Sequence, residues 1–405
     1  MKPSELLDAE GTGEAPFGEP RFSLVLGGPL YQLYLRTRTA RPNLELADRR
    51  TIVVTAICWL PLLLLTWYTG CLFGGPSVPF LFDAEVQTKL LGAVPLLIAS
   101  ELIVHRRISE IIDQLFARRI VAPEDRGTFQ RLVASSARLR NSITAEVCML
   151  LLATIGGHWL WSHDLTFNVT SWYGSRVDGH THLAGAGYWY AFVSLPIFRF
   201  LLLRWYFRLF IWYGFLWRVR ALPLHLDLFH PDRAAGLGFL SGSLFAFAPF
   251  LIAQTTALAG MIGNRIRNSG ATLADLKIEI ACAVLFLIFT VLTPLGFFAL
   301  SLIPARRTAQ REFGILASHY VDDFRRKWSH CDDEKRRAEL LGTSDIQSLA
   351  DLGNTYNMVS EMRVFPFNTR AVLRLAILVL TPLGPLVLTI VPIERVVKGV
   401  IKLLL

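Results

Sequence analysis

The sequence predicts an all-α fold, a polytopic transmembrane helical bundle of six or seven spans with helical cytoplasmic extensions. Composition is the first observation, because 53% of the 405 residues are hydrophobic, whereas apolar residues including glycine make up about 45 to 50% of an ordinary soluble domain. The second is that the apolar residues form runs of about 20, the length a helix needs to cross about 30 Å of hydrocarbon. The third is that arginine-rich stretches separate several of these runs.

The apolar runs set the predicted number of spans. They cover residues 51–73, 85–104, 143–161, 188–209, 240–262, 280–303 and 375–393. The last run has 19 residues, or about 28 Å of helix, which suits a single crossing. A re-entrant turn at residues 381–385 is the alternative, because it would keep the basic residues after 393 on the inner side. We favour the crossing.

Four regions follow from the pattern of runs. Residues 1–50 are predicted to be a cytoplasmic segment with an interfacial helix, and residues 51–304 a bundle of six spans with a cytoplasmic helical hairpin at 105–142. Residues 305–369 are predicted to be a cytoplasmic helical region, and residues 370–405 a membrane segment with an amphipathic tail. Extensions are expected because helical apolar periodicity continues into charged sequence without proline or glycine to stop it.

Basic residues predict the orientation, because lysine and arginine accumulate in cytoplasmic loops. Five arginines lie between residues 36 and 50 and eight between 106 and 140, whereas the first outer loop carries Asp83 and Glu85 before Lys89. The N terminus is therefore predicted to be cytoplasmic. This bias explains most of the net charge of +9, so the expected partner is the lipid bilayer and no nucleic-acid partner is predicted.

Two stretches of the C-terminal half carry a family resemblance. They are HPDRAAGLGFL, from His230 to Leu240, and LGTSDIQSLADLGNTYNMVSEMRVFPF, from Leu341 to Phe367. Both resemble a family of multi-pass bacterial inner-membrane proteins that has no established activity. The resemblance implies a location in the bacterial inner membrane. It implies no catalytic residue and no cofactor.

One phrase occurs twice, as VLTPLGFFALSLIP from Val291 and as VLTPLGPLVLTIVP from Val379. Proline removes a helical hydrogen bond, so each copy predicts a kink. The kink residues are Thr293, Pro294 and Gly296 in the first copy and Thr381, Pro382 and Gly384 in the second. The threonines are placed to bond back to the preceding turn, and the glycines permit close helix approach. The repeat is either a coincidence of membrane composition or a pair of antiparallel kinked helices of the kind that flanks transport pathways.

Five ionisable residues fall within the predicted spans, where charge is costly and usually faces the bundle interior or water. They are Glu101, Glu146, Arg199, Arg204 and Arg208. All except Arg199 are predicted to lie at similar depth near the cytoplasmic side, where two carboxylates can neutralise two guanidinium groups. Three interpretations are open. The cluster is a structural lock between spans, or it is a gate or a site for an anion or a proton, or its side chains snorkel to the headgroups. Arg199 is the deepest charge and faces away from Arg208.

Histidine and aspartate residues are the candidates for metal binding. They are His225, Asp227, His230 and Asp232 before the fifth run and His180 and His182 before the fourth. These residue types bind zinc and other divalent ions, although their spacing does not match one helical face. Capping of the fifth span by Asp232 is the alternative for the first group. A solvated loop is the alternative for the second.

No nucleophile elbow, Walker loop, HExxH or kinase signature occurs, so the sequence gives no reason to predict an enzyme. The leading hypothesis is a channel or carrier for an ion or small solute, based on the kinks and the charges. The first alternative is a non-conducting sensor or scaffold that couples the histidine-containing outer loop to a cytosolic protein. A lipid enzyme that uses residues 225–232 is the second. The sequence identifies no cofactor, and it is compatible with a homo-oligomer.

Overall fold

The computed structural model describes residues 22–36, 47–156, 171–177, 180–328 and 344–387. Seven helices of this part are long and apolar enough to cross a membrane. The protein is therefore an integral membrane protein with the all-α bundle that the sequence predicts. The predicted amphipathic tail and the first 21 residues lie outside the described residues.

The elements are numbered along the chain. They are α1 (Pro29–Arg36), α2 (Ala47–Tyr68), α3 (Ala84–Ala117), α4 (Pro123–Gly156), β1 (Gly174–Val177), β2 (His180–Leu183), α5 (Gly185–Arg220), α6 (Leu237–Asn268), α7 (Lys277–Gly296), α8 (Ala299–Trp328), α9 (Asp345–Ser360) and α10 (Thr369–Val387). The candidate spans are α2 to α7 and α10.

Several of the long helices change geometry along their length. One turn of π-helix occurs at Thr88–Ala93 in α3, Leu152–Gly156 in α4 and Tyr190–Ser194 in α5. Helix α4 is broken between Arg126–Arg140 and Ile143–Leu151. Short 3₁₀ turns occur at Phe80–Phe82, Pro123–Asp125, Leu237–Ser241 and Thr381–Leu383. The short helix Gly242–Ala246 precedes the long helix Ala248–Ser269, which forms the rest of α6 and ends one residue beyond the span. Strands β1 and β2 pair antiparallel.

The bundle has two distinguishable ends. At one end Val121, which follows α3, pairs with Leu224, which follows α5. We call this end, with the extended parts of α3 and α5 and with α8 and α9, the arginine-rich end. At the other end Asn264 of α6 contacts Asp83 before α3, and we call it the hairpin end because β1 and β2 lie there.

The last span crosses the bundle. A Cβ atom built on Gly263 of α6 would lie 3.6 Å from Leu386 and 3.7 Å from Ala84, so the end of α10 reaches the hairpin end. The chain enters α10 from the arginine-rich end, where the amide of Arg363 donates to the Arg233 carbonyl. The described part of α10 thus runs from one end of the bundle to the other; the choice between a crossing and a re-entrant turn stays a prediction.

Helices α3 and α6 pack closely in the centre of the bundle. A Cβ atom at Gly260 would lie 1.8 Å from Thr88 Oγ1, and one at Gly92 would lie 2.7 Å from Thr256 Cγ2. A Cβ atom at Gly260 would also lie 2.6 Å from the Ala84 carbonyl oxygen, so glycine is required there, as at other close contacts between membrane helices. Large apolar side chains such as Ile52 and Phe289 are exposed on the outside of the bundle, as expected for surfaces that face lipid.

The N-terminal segment differs from the predicted interfacial helix over residues 22–28. Residues 22–28 are irregular and α1 begins only at Pro29. Phe22, Leu24 and Val25 are buried, and the ring of Phe22 lies 4.5 Å from that of Phe215 in α5. The apolar residues of this segment thus face the protein interior at the arginine-rich end. Composition alone does not distinguish a short apolar stretch that faces protein from one that faces lipid.

Candidate functional site

Buried charges meet where α2, α3 and α5 come together, at the arginine-rich end of the spans. Glu101 of α3 lies at the centre. Its Oε2 is 2.6 Å from Arg50 Nη2 of α2, and its Oε1 is 2.7 Å from Arg208 Nη2 and 3.6 Å from Arg204 Nη1 of α5. None of these four residues is more than 5% exposed. A single carboxylate therefore joins three guanidinium groups inside the protein.

Glu146 connects α4 and the N-terminal segment to these charges. Its Oε1 lies 3.4 Å from Arg204 Nε, and its Oε2 accepts a hydrogen bond from the Leu30 amide at 2.9 Å. Arg204 Nη2 also donates to the Gly27 carbonyl at 3.4 Å. Gly27 has a φ of 137°, which favours glycine, and this backbone conformation lets its carbonyl approach Arg204. Residues 27–30 are thus held by the charged side chains.

Arg140, at the break in α4, holds the same segment from its other side. Its Nη1 donates to the Ser23 carbonyl at 2.5 Å and its Nε to Asn141 Oδ1 at 3.0 Å. It forms no ion pair with any residue in the described ranges. A carbonyl and an amide oxygen carry only partial negative charge, so these two acceptors do not neutralise the full positive charge of Arg140.

Six side chains form what we call the charge cluster. They are Arg50, Glu101, Arg140, Glu146, Arg204 and Arg208. Four guanidinium groups and two carboxylates leave an excess of two positive charges in this set. Arg208 also lies 4.7 Å from the ring centroid of Trp205, and the cation–π attraction offsets part of its burial. The excess charge makes the cluster more than a set of matched ion pairs.

The structure brings together four of the five charged residues that the sequence singled out, namely Glu101, Glu146, Arg204 and Arg208. Arg199 does not join them, although the sequence grouped it with them as a charge within the predicted spans. It is half-buried and forms no ion pair within the described residues, because helical spacing turns it away from the face that carries Arg204 and Arg208.

Sequence reasoning missed two members of the cluster, Arg50 and Arg140. Both were interpreted only as signals of orientation. Arg50 directly precedes an apolar run, and Arg140 directly precedes the Asn-Ser pair at which α4 breaks. These positions at the ends of predicted spans were the available signal, because an arginine there can reach charges at the same depth.

The two copies of the repeated phrase differ from expectation in one respect. Thr293 and Thr381 each donate to the carbonyl four residues earlier, at 2.8 and 2.9 Å, as predicted. Gly296 and Gly384 have no atom of another part of the described chain within 4 Å of the Cβ position, so the described residues show no close helix approach at either glycine. Pro382 lies in the 3₁₀ turn that follows the regular part of α10.

The carbonyl that Pro294 leaves without a helical donor is bonded from a different helix. Pro294 cannot donate to the Thr290 carbonyl, and the hydroxyl of Tyr213 in α5 donates to it instead. The ring of Phe297, between α7 and α8, packs edge-on against Tyr213 and Trp217 at 6.0 and 5.0 Å. The helix that carries Arg204 and Arg208 therefore also holds the junction of α7 and α8.

Asp232 organises the loop before α6. Its Oδ1 accepts the amides of Ala234 at 2.8 Å and Gly236 at 3.2 Å, and its Oδ2 accepts that of Gly238 at 2.8 Å. His230 Nδ1 lies 3.1 Å from Asp232 Oδ1. Burial raises the pKa of Asp232, whereas the hydrogen bonds from the three amides and the nearby His230 lower it. The lowering effects together are larger, so the pKa is below its ordinary value of 3.8. Asp232 therefore acts as a loop and helix cap.

The metal-binding hypothesis finds no support in the described part of the chain. No group of three or more His, Cys, Asp or Glu residues there is arranged to hold a metal ion. Asp227 accepts the Phe229 amide at 3.1 Å, and the carboxylate of Asp232 is occupied by amides. His225, Asp227, His230 and Asp232 thus build a loop. His180 and His182 lie in β2, and their side chains are outside the described residues.

The two stretches that carry the family resemblance meet at this loop. Arg233 Nη1 lies 2.6 Å from Glu361 Oε2, and the Arg363 amide donates to the Arg233 carbonyl at 2.6 Å. Arg363 also donates through its guanidinium group to the Asp232 carbonyl. Residues distant in sequence therefore form one surface at the arginine-rich end.

Comparison of the chain with protein-family models, with curated proteins and with solved structures finds no match. The family resemblance stays a prediction. Function has to be inferred from the site itself, since a helical bundle supports many activities.

Proposed function

We propose that the protein is a non-conducting membrane sensor or scaffold in which the charge cluster is coupled to α8 and α9. The observation that supports this proposal is the continuity of α5. Arg204 and Arg208 on this helix bind Glu101, and Tyr213 on the same helix donates to the Thr290 carbonyl beside the α7–α8 junction. Because α5 is helical throughout Leu195–Arg220, a displacement of the arginines would also displace Tyr213.

The occupied polar groups within the spans favour this function over conduction. Gln254 Oε1 accepts the hydroxyl of Tyr206, while its Nε2 has no hydrogen-bond partner among the described residues. Thr293 donates to a carbonyl of its own helix. Arg199 faces away from the charge cluster. A carrier requires polar groups that are free to exchange partners along one path, and these three residues do not provide such a path.

Helices α8 and α9 are the proposed output region. Lys327 Nζ and Trp328 Nε1 of α8 bind Asp345 Oδ2 of α9 at 2.6 and 2.9 Å. The large apolar side chains of Ile315 and Leu316 on α8 are exposed. We propose that they contact a cytosolic protein partner.

We further propose a location in the bacterial inner membrane, with the N terminus and the arginine-rich end in the cytosol. The distribution of arginines supports this orientation.

A gated channel or carrier for an anion or small solute is the second candidate. The excess positive charge of the cluster favours it, together with the cover that residues 23–30 form over the cluster. If this segment moved away, a basic mouth would open at the arginine-rich end.

Flux measurements separate the two candidates. The full chain would be reconstituted into liposomes, and chloride and potassium flux would be compared for the wild type and Glu146→Gln, which loses the charged acceptor that holds Leu30. The sensor or scaffold predicts no flux above that of protein-free liposomes in either case. Flux through the wild type, or flux gained on Glu146→Gln, would support the channel or carrier instead.

Hydrogen exchange tests the proposed coupling. We expect faster amide exchange in α8 for Glu146→Gln and for Tyr213→Phe, because each loosens one end of the connection through α5. Tyr188→Phe is the matched control, since Tyr188 is an exposed tyrosine on the same helix near the hairpin end. Unchanged exchange in α8 for both test variants would contradict the coupling.

A further inference from the structure

An apolar cleft opens on the side of the bundle between α2, α5 and the N-terminal segment. Its volume is about 180 Å³, and it is lined by Leu30, Val54, Ile57, Ile197, Phe200 and Leu201. Ile57 is 45% exposed and lies at the open side. In the membrane this opening faces the acyl chains.

Along α2 and α5 the cleft lies one helical turn from the charge cluster. Val54 lies one helical turn after Arg50 on α2, and Phe200 and Leu201 lie one turn before Arg204 on α5; residues at these spacings share a helix face. Leu30 lines the cleft and donates its amide to Glu146. One turn of helix therefore separates an apolar space from an excess of positive charge.

Arg204 is the member of the cluster that is held most loosely. Its contacts with Glu101, Glu146 and the Gly27 carbonyl measure 3.6, 3.4 and 3.4 Å, whereas good hydrogen bonds from nitrogen to oxygen measure about 2.7 to 3.2 Å. An anion beside Arg204 could accept a shorter bond without breaking a strong one.

The depth of the cluster matches a lipid headgroup. Arg50 lies 18 residues before Tyr68, the last residue of α2, which is about 27 Å of helix. The hydrocarbon core of a bilayer is about 30 Å thick. The cluster thus lies near the level of the phosphates of one leaflet, and the cleft lies at the level of the adjoining acyl chains.

We infer that this cleft is a binding site for one anionic phospholipid, with an acyl chain in the apolar cleft and the phosphate beside Arg204. The acyl chain explains the apolar lining, and the negative headgroup compensates the excess charge. A free phosphate ion would use only the second feature, and a lipid without net charge only the first. The inference rests on the cleft and the charge cluster, and not on the coupling to α8.

Native mass spectrometry of the full chain, released from a neutral detergent, tests this inference. The protein would be titrated with phosphatidylglycerol, with phosphatidylcholine of the same acyl chains, and with inorganic phosphate. We expect one phosphatidylglycerol molecule to bind about tenfold more tightly than phosphatidylcholine, because basic residues attract anionic headgroups. Equal binding of the two lipids, or displacement of phosphatidylglycerol by millimolar phosphate, would overturn the inference.

Variants locate the site. Ile57→Trp fills the cleft and is expected to weaken phosphatidylglycerol binding about tenfold, the loss expected when about 1.4 kcal/mol of binding free energy is removed. Leu60→Trp is the matched control, because Leu60 is also 45% exposed on α2 but does not line the cleft. Equal binding by both tryptophan variants would place the lipid elsewhere and refute the assignment.

The charge is tested separately from the cleft. Arg204→Gln is expected to abolish the preference for phosphatidylglycerol while leaving phosphatidylcholine binding unchanged. Thermal unfolding of each variant in the same detergent checks that the fold is retained, and Arg49→Gln, at an exposed arginine on α2, is the control for loss of charge alone. A preference retained by folded Arg204→Gln would contradict the proposed position of the phosphate.

Discussion

Two buried carboxylates near opposite ends of the membrane part of α3 are satisfied in different ways. Glu101 and Asp83 are each 4% exposed. Glu101 lies among the guanidinium groups of Arg50, Arg204 and Arg208. Asp83 accepts hydrogen bonds from three neutral donors, the Val86 amide at 3.1 Å, Asn264 Nδ2 at 2.7 Å and Trp172 Nε1 at 2.9 Å.

The difference shows that the charge of the partners, and not burial, distinguishes the two sites. Neutral donors hold Asp83 and tie α3, α6 and the residues before β1 together. Because these donors are uncharged, they provide no positive charge that could attract an anion. The guanidinium groups around Glu101 outnumber the carboxylates, so the same degree of burial produces a site that can attract an anion from outside the fold.

Glu101→Gln is expected to have the largest effect on stability. It would leave three guanidinium groups buried without their central counter-charge, and breaking a buried ion pair on one side costs about 3 to 5 kcal/mol. The free energy of unfolding in mixed micelles would be measured by titration with dodecyl sulfate. Glu85→Gln is the control on the same helix, because Glu85 forms a partly exposed pair with Lys89. A loss no greater than that of the control would invalidate the central role of Glu101.

Asp83→Asn is expected to cost less, about 1 to 3 kcal/mol, the penalty for a buried group left without its hydrogen bond. The new amide can keep one acceptor, but its NH₂ group would face a second donor, Trp172 Nε1 or Asn264 Nδ2. The same titration measures the loss, with the exposed Asp48→Asn as control. If Asp83→Asn destabilised the protein more than Glu101→Gln, the distinction between charged and neutral partners would not explain their energetics.

The sequence was sufficient to predict the spans and the level at which Glu101, Glu146, Arg204 and Arg208 meet. Apolar runs and the arginine bias determine both. It was not sufficient for the buried segment 22–28, since a run of seven residues is too short to distinguish protein contact from lipid contact. The partners of Asp83 were also beyond prediction, because Trp172 and Asn264 lie 89 and 181 residues away and no local periodicity connects them.

Asp232 is a third carboxylate, which is partly buried and held by backbone amides. Asp232→Asn is expected to cost about 1 kcal/mol of unfolding free energy at neutral pH. Because the folded pKa of Asp232 is below its ordinary value of 3.8, the carboxylate contributes stability above that value and loses it as pH falls through the folded pKa. Unfolding midpoints at pH 7 and pH 3 measure this. The difference between wild type and variant should shrink at pH 3; a difference that is constant with pH would exclude this contribution.

The smallest effects are expected where a hydrogen bond stays within one helix. Thr293→Val and Thr381→Val should each change the free energy of unfolding by less than about 0.5 kcal/mol, because each hydroxyl donates to a carbonyl that already accepts a helical amide. Tyr213→Phe is the comparison. It removes the donor that replaces the one lost at Pro294, and should cost about 1 kcal/mol. If Thr293→Val cost as much as Tyr213→Phe, the turn around Pro294 would be held locally, and α5 would have no special hold on the α7–α8 junction.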